Sequence, residues 1–139
     1  MADQDQLRVR LVSPERILFE QNADAVELPA KNGYMEVLYG HAPLLAELGA
    51  GDVRVHSGGS GDQTYNVSWG FVEVLPDRVT ILANDALKPE EIDVNRARQQ
   101  LDRGLNMWNE AGESEEAYDQ ALAVIAEAES KLATANEKS

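Results

Sequence analysis

The sequence predicts an all-β N-terminal sandwich over residues 1–87, followed by a C-terminal antiparallel α-helical hairpin over residues 88–139. Three observations lead to this fold class. Short runs of alternating apolar and polar residues fill the first part, with turn residues between them. No helix-length segment interrupts these runs, so a parallel βαβ sheet is not expected. After Lys88, apolar residues recur every three or four positions, which is the spacing of one helical face.

Eight or nine short strands are expected in the N-terminal part. Leu7, Val9 and Leu11 alternate with arginines, as in a strand with one buried face. The runs are residues 7–11, 17–19, 23–28, 35–38, 44–48, 52–56, 65–69, 71–75 and 79–83. The glycine-rich segment 57–62 is predicted to be a hairpin loop, because it lacks the Gly-Lys-Ser/Thr ending of a phosphate-binding loop and no helix follows it.

Two helices are expected after Lys88. Pro89 and Asp93 are typical of a helix start, and Ser114 is a plausible N-cap for the second helix. The first apolar face consists of Ala97, Leu101, Leu105 and Trp108. The second consists of Tyr118, Ala121, Leu122, Ile125, Ala128, Leu132 and Ala135. Gly104 should weaken the first helix by about 1 kcal/mol relative to alanine. A hairpin of about 50 residues is too small for a core of its own, so it must dock on the sandwich or on a partner.

Composition excludes several classes of function. Twelve basic and 25 acidic side chains give a formal charge of −13, which argues against a nucleic-acid binder. There is no cysteine, and two histidines, His41 and His56, make a metal site unexpected. No apolar run approaches the roughly 20 residues of a membrane span, and the acidic N-terminus does not resemble a secretory signal. A soluble protein inside the cell is the expectation.

No catalytic group is expected either. The acidic pairs are ordinary solvated residues on a chain this acidic, and no histidine or second acid is spaced to complete an acid–base pair. Ser68 lacks the Gly-x-Ser-x-Gly frame of a nucleophile elbow. The sequence therefore predicts a protein that is not an enzyme by itself.

The segment from Gly33 to Leu48 is the strongest candidate for a functional surface. Gly40 allows a backbone conformation that a side chain would forbid, and Pro43 fixes its own φ and favours an extended residue before it. These residues predict a rigid corner between two strands, of the kind that often presents side chains to a partner. For His41 the alternative is a polar turn residue without a function.

Three stretches, 11–16, 33–45 and 70–76 with 79–83, together with the hairpin, resemble the epsilon subunit of the bacterial-type rotary ATP synthase. The resemblance covers nearly the whole chain. It implies a non-catalytic central-stalk subunit of the proton-translocating enzyme, peripheral to the cytoplasmic face of the bacterial plasma membrane, with the thylakoid as the other option. The sandwich would couple the gamma subunit to the c-subunit ring. Tyr34 and His41 would lie on the edge facing the ring, and the strands after Asp62 would help to face gamma.

The same resemblance implies a regulatory role for the hairpin. It would contact the alpha and beta subunits and can inhibit ATP hydrolysis in the family. The segment 92–97 resembles the motif that binds ATP in some members, which implies a regulatory ATP site at Ile92, Asp93, Arg96, Ala97 and Arg103. No other cofactor is expected. Arg96 and Arg103 are two helical turns apart, so both can address one ligand, and a guanidinium group can bind phosphate oxygens with two hydrogen bonds. The alternatives are a capped helix start with solvated arginines, or a free-standing ATP-sensing module.

Departures from the family pattern bear on the regulatory role. Gln120, Glu127 and Lys131 stand approximately where ATP-binding members supply further arginines, and Glu127 reverses the charge. The hairpin as a whole is acidic, so we expect weak inhibition of ATP hydrolysis. In the sandwich, Trp69 stands where the family commonly has a second glycine.

Overall fold

The structure is a computed structural model that describes residues 6–58 and 61–138. The chain divides into two compact units, Met1–Lys88 and Pro89–Ser139, and each is described by itself.

The first unit is a seven-stranded sheet with the strand order β2-β1-β7-β6-β5-β3-β4. The strands are β1 (Leu7–Val12), β2 (Ile17–Ala23), β3 (Ala25–Ala30), β4 (Gly33–Leu38), β5 (Leu44–His56), β6 (Asp62–Leu75) and β7 (Arg78–Leu87). All neighbouring pairs are antiparallel except β1 and β7, which are parallel. The antiparallel pairing of β5 with β6 extends to His56 and Asp62, which confirms the predicted hairpin connection. Gly59 and Ser60 of its loop lie outside the described residues.

The expected eight or nine strands are wrong in number, because the described part of the first unit contains seven. Segments 44–48 and 52–56 are the two halves of β5, and segments 65–69 and 71–75 are the two halves of β6. Each strand continues through the glycines between its halves. A glycine marks a turn and a strand kink equally well in a sequence, so the pattern alone could not separate the two.

The sheet folds back on itself to form the predicted sandwich. Phe19 lies on the edge strand β2 and Tyr65 on β6, three places away in the strand order. In a flat sheet three strand spacings would separate them by roughly 14 Å. Their ring centroids are 6.3 Å apart in an edge-to-face contact. The two halves of the sheet therefore enclose one core.

This core consists of the alternating apolar side chains that the sequence singled out. Leu7, Val9 and Leu11 of β1 are fully buried, whereas Arg8 and Arg10 between them are exposed. Their main partners on the other strands are Val26, Leu28, Val37, Leu48, Val53, Val55, Val67, Val72, Val74, Val79 and Ile81. Burial of these branched side chains is the main driving force for folding of the unit.

The bend of β6 occurs at Trp69 and Gly70. Trp69 has φ 60° and Gly70 has φ 130°. The pairings of β6 with β5 and with β7 both omit Trp69 and resume at Gly70 in the same register. A Cβ atom on Gly70 would collide with the backbone carbonyl oxygen of Leu82 on β7. Position 70 therefore requires glycine on two counts, its backbone conformation and the close approach of β7.

Gly70→Ala should destabilise the sandwich far more than the matched change Gly33→Ala. Gly33 has a similar φ of 135°, but a Cβ there would meet nothing within 4 Å. Backbone strain alone predicts a loss of about 1–3 kcal/mol for Gly33→Ala. The added collision predicts that Gly70→Ala loses at least about 2 kcal/mol more. Urea unfolding followed by circular dichroism measures both values, and equal losses would contradict the described close approach.

The second unit is the predicted antiparallel helical hairpin. A short 3₁₀ turn, Pro89–Glu91, precedes α1 (Val94–Glu110), and α2 spans Glu115–Lys138. The predicted N-cap at Ser114 is confirmed, and Asp93, which the sequence placed at a helix start, is the N-cap of α1. An Asp93 carboxylate oxygen accepts a hydrogen bond from the Arg96 backbone N–H at 3.1 Å, and Ser114 Oγ accepts one from the Ala117 N–H at 3.1 Å. These bonds satisfy donors that the first helical turns leave without partners.

The packing face of α1 agrees with the prediction only in part. Ala97 and Gly104 are buried in the hairpin, while Leu105, Trp108 and Leu122 are 46%, 41% and 50% exposed. At Gly104 the helices approach so closely that a Cβ would lie 2.7 Å from Ile125 Cγ1. Gly104, which was expected only to destabilise α1, is therefore the residue against which α2 packs most closely. Trp108 also contacts α2, because its ring packs edge-to-face on Tyr118 with the ring centroids 4.5 Å apart.

A polar group lies within the hairpin interface. Gln100 Nε2 donates a hydrogen bond to Glu127 at 3.0 Å, and Lys131 Nζ forms an ion pair with Glu127 at 3.1 Å. Lys131 is only 8% exposed. Buried charges require such partners, so these three side chains fix the register of the two helices.

Candidate functional site

The segment between β4 and β5, residues 39–43, forms the rigid corner expected from the sequence. Gly40 has φ 91°, and its N–H donates a hydrogen bond of 2.6 Å to the carbonyl oxygen of Pro76 in the turn between β6 and β7. The His41 N–H donates to the Leu38 carbonyl at 3.1 Å. Two backbone bonds thus hold the corner, one of them to a turn that is distant in sequence.

His41 is half-buried at this corner. Its ring Nδ1 lies 2.7 Å from the carbonyl oxygen of Ala42, and a carbonyl can only accept, so Nδ1 carries the proton. In the neutral form of this ring, Nε2 has the lone pair and can accept a hydrogen bond from a partner.

Apolar side chains flank His41 on both sides of the corner. Leu38, Tyr39, Leu44 and Leu45 are between 40% and 72% exposed, and Leu45 is the most exposed of them. We call these four residues and His41 the corner patch. Exposed apolar groups concentrated in one place are typical of an interaction surface. Sequence reasoning placed these leucines in apolar strands and did not identify them as surface residues.

Tyr34 lies at the opposite end of β4 from His41, so the structure does not bring the two into one cluster. The tyrosine ring is largely exposed, but its hydroxyl accepts a hydrogen bond of 2.9 Å from the Asp52 N–H. A Cβ on Gly51 would lie 2.5 Å from this hydroxyl. Tyr34 therefore ties β4 to β5 at Asp52 and exposes its ring along the edge strand β4.

A second exposed apolar group runs across four strands. Val12 on β1 pairs with Ile17 on β2 and with Leu82 on β7, and Leu82 pairs with Phe71 on β6. Ile17, Leu82 and Phe71 are each about half exposed. Cross-strand neighbours share one face of a sheet. These three side chains therefore form one row, with Val12 between Ile17 and Leu82, and we call the three residues the outer row.

The five residues predicted to hold ATP separate into two groups. Ile92 and Ala97 are buried, which leaves their side chains unavailable to a ligand. Arg96 and Arg103 are exposed on α1. Asp93 is exposed, and its carboxylate caps the helix.

Comparison with known proteins identifies the family. Residues 6–89 match the family model of the ATP synthase delta/epsilon chain, beta-sandwich domain. The ATP synthase epsilon chain of Solibacter usitatus is 42% identical over 135 residues, which is 96% of this chain and 98% of that protein. The chain belongs to the ATP synthase epsilon chain family. The epsilon chain of Koribacter versatilis is 40% identical over 108 residues, 78% of this chain and 75% of that protein.

The fold agrees with this assignment. A chain in the cryo-EM structure of the Euglena gracilis mitochondrial ATP synthase superimposes with a TM-score of 0.77 at 24% identity, covering 93% of this chain and 81% of that one. Epsilon chains are subunits of the ATP synthase and not its catalytic subunit. The described residues include no helix long and apolar enough to span a membrane. The family and fold class expected from the sequence are thus confirmed.

Proposed function

We propose that this epsilon chain is the central-stalk subunit that couples gamma to the c-subunit ring of a proton-translocating ATP synthase. The corner patch is the observation that carries this proposal, because it combines an exposed apolar surface with a backbone that cannot easily bend. A surface that transmits torque must bind its partner and must not deform under load. The hydrogen bond from Gly40 to Pro76 ties the corner to the turn between β6 and β7 and supplies that stiffness.

In this proposal the corner patch faces the c-ring. His41 would accept a hydrogen bond through Nε2, and Leu38, Leu44 and Leu45 would supply apolar contact. Tyr34 extends the same edge along β4, where its exposed ring can add to the contact. Aromatic residues such as Tyr34 are enriched among the side chains that carry most of the binding energy of protein interfaces.

The outer row is the proposed gamma surface. Phe71 and Leu82 lie on the strands after Asp62, the part of the sandwich that the family resemblance assigns to gamma, and Ile17 extends the row to β2. Half-exposed aromatic and branched side chains on a hydrogen-bonded sheet form a preorganised apolar face. A subunit with two such surfaces can join two partners.

As part of the complex it would be peripheral to the membrane, and we propose the cytoplasmic face of the bacterial plasma membrane.

Leu45→Asp tests the ring contact. A charge placed in an apolar contact should lower ATP-driven proton pumping by the reconstituted complex several-fold while ATP hydrolysis continues. Co-purification of the subunits checks that the variant complex is still assembled when its proton pumping is measured. Leu122→Asp is the matched control, because Leu122 is a half-exposed leucine on the hairpin. The proposed ring contact would be contradicted if Leu45→Asp and the double variant with His41→Ala both pump protons normally.

For the hairpin we propose contact with the alpha and beta subunits and only weak inhibition of hydrolysis. Residues 88–139 hold six basic and twelve acidic side chains. This net negative charge disfavours binding to an acidic catalytic surface. Lys131 lies within the hairpin interface beside Glu127, so it is not presented to a partner while the hairpin is closed.

Regulatory ATP is the second candidate function. Exposed Arg96 and Arg103 on one side of α1 favour it, because two guanidinium groups can bind phosphate oxygens. The position of Glu127 opposes it, since this carboxylate stands where the family supplies positive charge and already binds Lys131 and Gln100. We therefore propose that ATP, where it binds, binds weakly.

Removal of residues 89–139 tests the role of the hairpin. Hydrolysis by the catalytic head with gamma should rise by less than about fivefold relative to the full chain, below the range of strong allosteric coupling. A double variant of the full chain, Arg96→Gln with Arg103→Gln, should behave like the full chain at every ATP concentration. Arg98→Gln, another exposed arginine of α1, is the control. A large rise on truncation, or an ATP response that the double variant loses, would establish an inhibitory or ATP-sensing hairpin instead.

A further inference from the structure

Three adjacent strands bring Glu36, Glu27 and His56 together on one face of the sandwich. Glu27 on β3 pairs directly with Glu36 on β4, and its other neighbour, Arg54 on β5, is two residues from His56. His56 Nε2 lies 3.4 Å from Glu27 Oε2. One nitrogen of the imidazole and one oxygen of each carboxylate all lie within 4.8 Å of one another.

The charges of this cluster favour a cation. Like charges directly opposite each other on neighbouring strands are destabilising, and Glu27 and Glu36 are such a pair. Arg54 lies opposite Glu27, and its Nη2 is 3.6 Å from Asp52 on the same strand. The carboxylate of Asp62, through its hydrogen bond with the ring, is the largest cause of the raised pKa of His56; burial lowers that pKa, and Glu27 raises it further.

Asp62 also sets the orientation of the imidazole. Its Oδ2 lies 3.0 Å from His56 Nδ1, so the Nδ1–H of the neutral ring donates to the carboxylate and leaves the lone pair on Nε2. Nε2 is the ring atom on the side of Glu27. A carboxylate that holds the far nitrogen of a histidine is the usual outer partner of a metal-binding imidazole, because it fixes the tautomer and the ring plane.

The distances suit a small divalent cation. Zinc binds histidine nitrogen and carboxylate oxygen at about 2.0–2.2 Å, so two ligands on a tetrahedral edge are roughly 3.4 Å apart. The 3.4 Å between His56 Nε2 and Glu27 Oε2 matches that edge. Glu36 is exposed and has the rotamer freedom to move its carboxylate the remaining distance. Water would take the fourth position.

We propose that Glu27, Glu36 and His56 form a zinc-type divalent-cation site, with Asp62 as a positioning residue. The site would join β4, an edge strand of the sheet, to β3 and β5 by a bond that the backbone pairing does not provide. β4 leads directly into the corner patch, so a bound cation would stiffen the strand from which that surface projects. The sequence predicted no metal site because the chain has two histidines. The proposed site needs one histidine, and its other two ligands are glutamates. The inference goes beyond the proposed function and does not depend on it.

Zinc titration of the full chain tests the proposal at about pH 8, above the ordinary histidine pKa of about 6.5. We expect saturable binding of one zinc ion by calorimetry. With His41 and His56 as the only histidines, nitrogen-15 NMR can follow each ring. The Nε2 resonance of His56 should shift with zinc, and both His41 resonances should stay unchanged.

Variants separate a built site from general attraction to an acidic protein. Glu36→Gln should weaken zinc binding by at least the tenfold that loss of an outer partner typically costs. Glu73→Gln is the matched control, because Glu73 is an exposed strand glutamate on β6 and its change removes the same charge. It should leave the affinity unchanged. Asp62→Ala should weaken zinc binding by about 10–100-fold and shift the nitrogen-15 signature of metal-free His56 towards the other tautomer.

Three results would overturn the proposal. The first is no saturation below about 1 mM zinc, which is too weak for a built site. The second is an equal loss of affinity in Glu36→Gln and Glu73→Gln, which would indicate attraction by net charge alone. The third is zinc binding without a shift of the His56 Nε2 resonance. Because Glu36 is exposed and Glu36→Gln keeps its shape, circular dichroism of that variant should match the unmodified chain.

Discussion

The bend of β6 at Trp69 and Gly70 is the constraint on which the sandwich depends. It allows one continuous sheet to turn back on itself while β5 and β7 keep their register on either side. Gly70 cannot carry a side chain because the Leu82 carbonyl fills that space. Trp69, a bulky residue at φ 60°, adopts a backbone conformation that is costly outside glycine. The burial of the core on both sides of the bend offsets that cost.

Both proposed interaction surfaces depend on this arrangement. The folded sheet brings the turn that contains Pro76 next to Gly40, so the corner between β4 and β5 gains a hydrogen bond that local sequence does not provide. The pairing of β6 with β7 places Phe71 beside Leu82. The apolar groups thus project from paired strands and a bonded corner rather than from mobile loops. This is the property expected of a subunit that transmits force between two partners.

Local patterns predicted the local features. The alternation at Leu7, Val9 and Leu11 gave the correct buried face of β1. The helix start at Asp93 and the N-cap at Ser114 were correct because both depend on a few consecutive residues. The strand number was wrong and the packing face of α1 was only partly right, because both depend on what lies opposite a glycine. The cluster of Glu27, Glu36 and His56 requires the register of three strands, which no single stretch of sequence contains.

Hydrogen exchange of the backbone amides tests the central claim most directly. The comparison is between the free chain and the chain assembled with gamma and the c-ring. We predict slower exchange at residues 38–45 in the assembled chain, with a second protected region around Phe71 and Leu82. Unchanged exchange at 38–45, with protection confined to the hairpin, would contradict it, because the sandwich would then not be the element that joins the stalk to the ring.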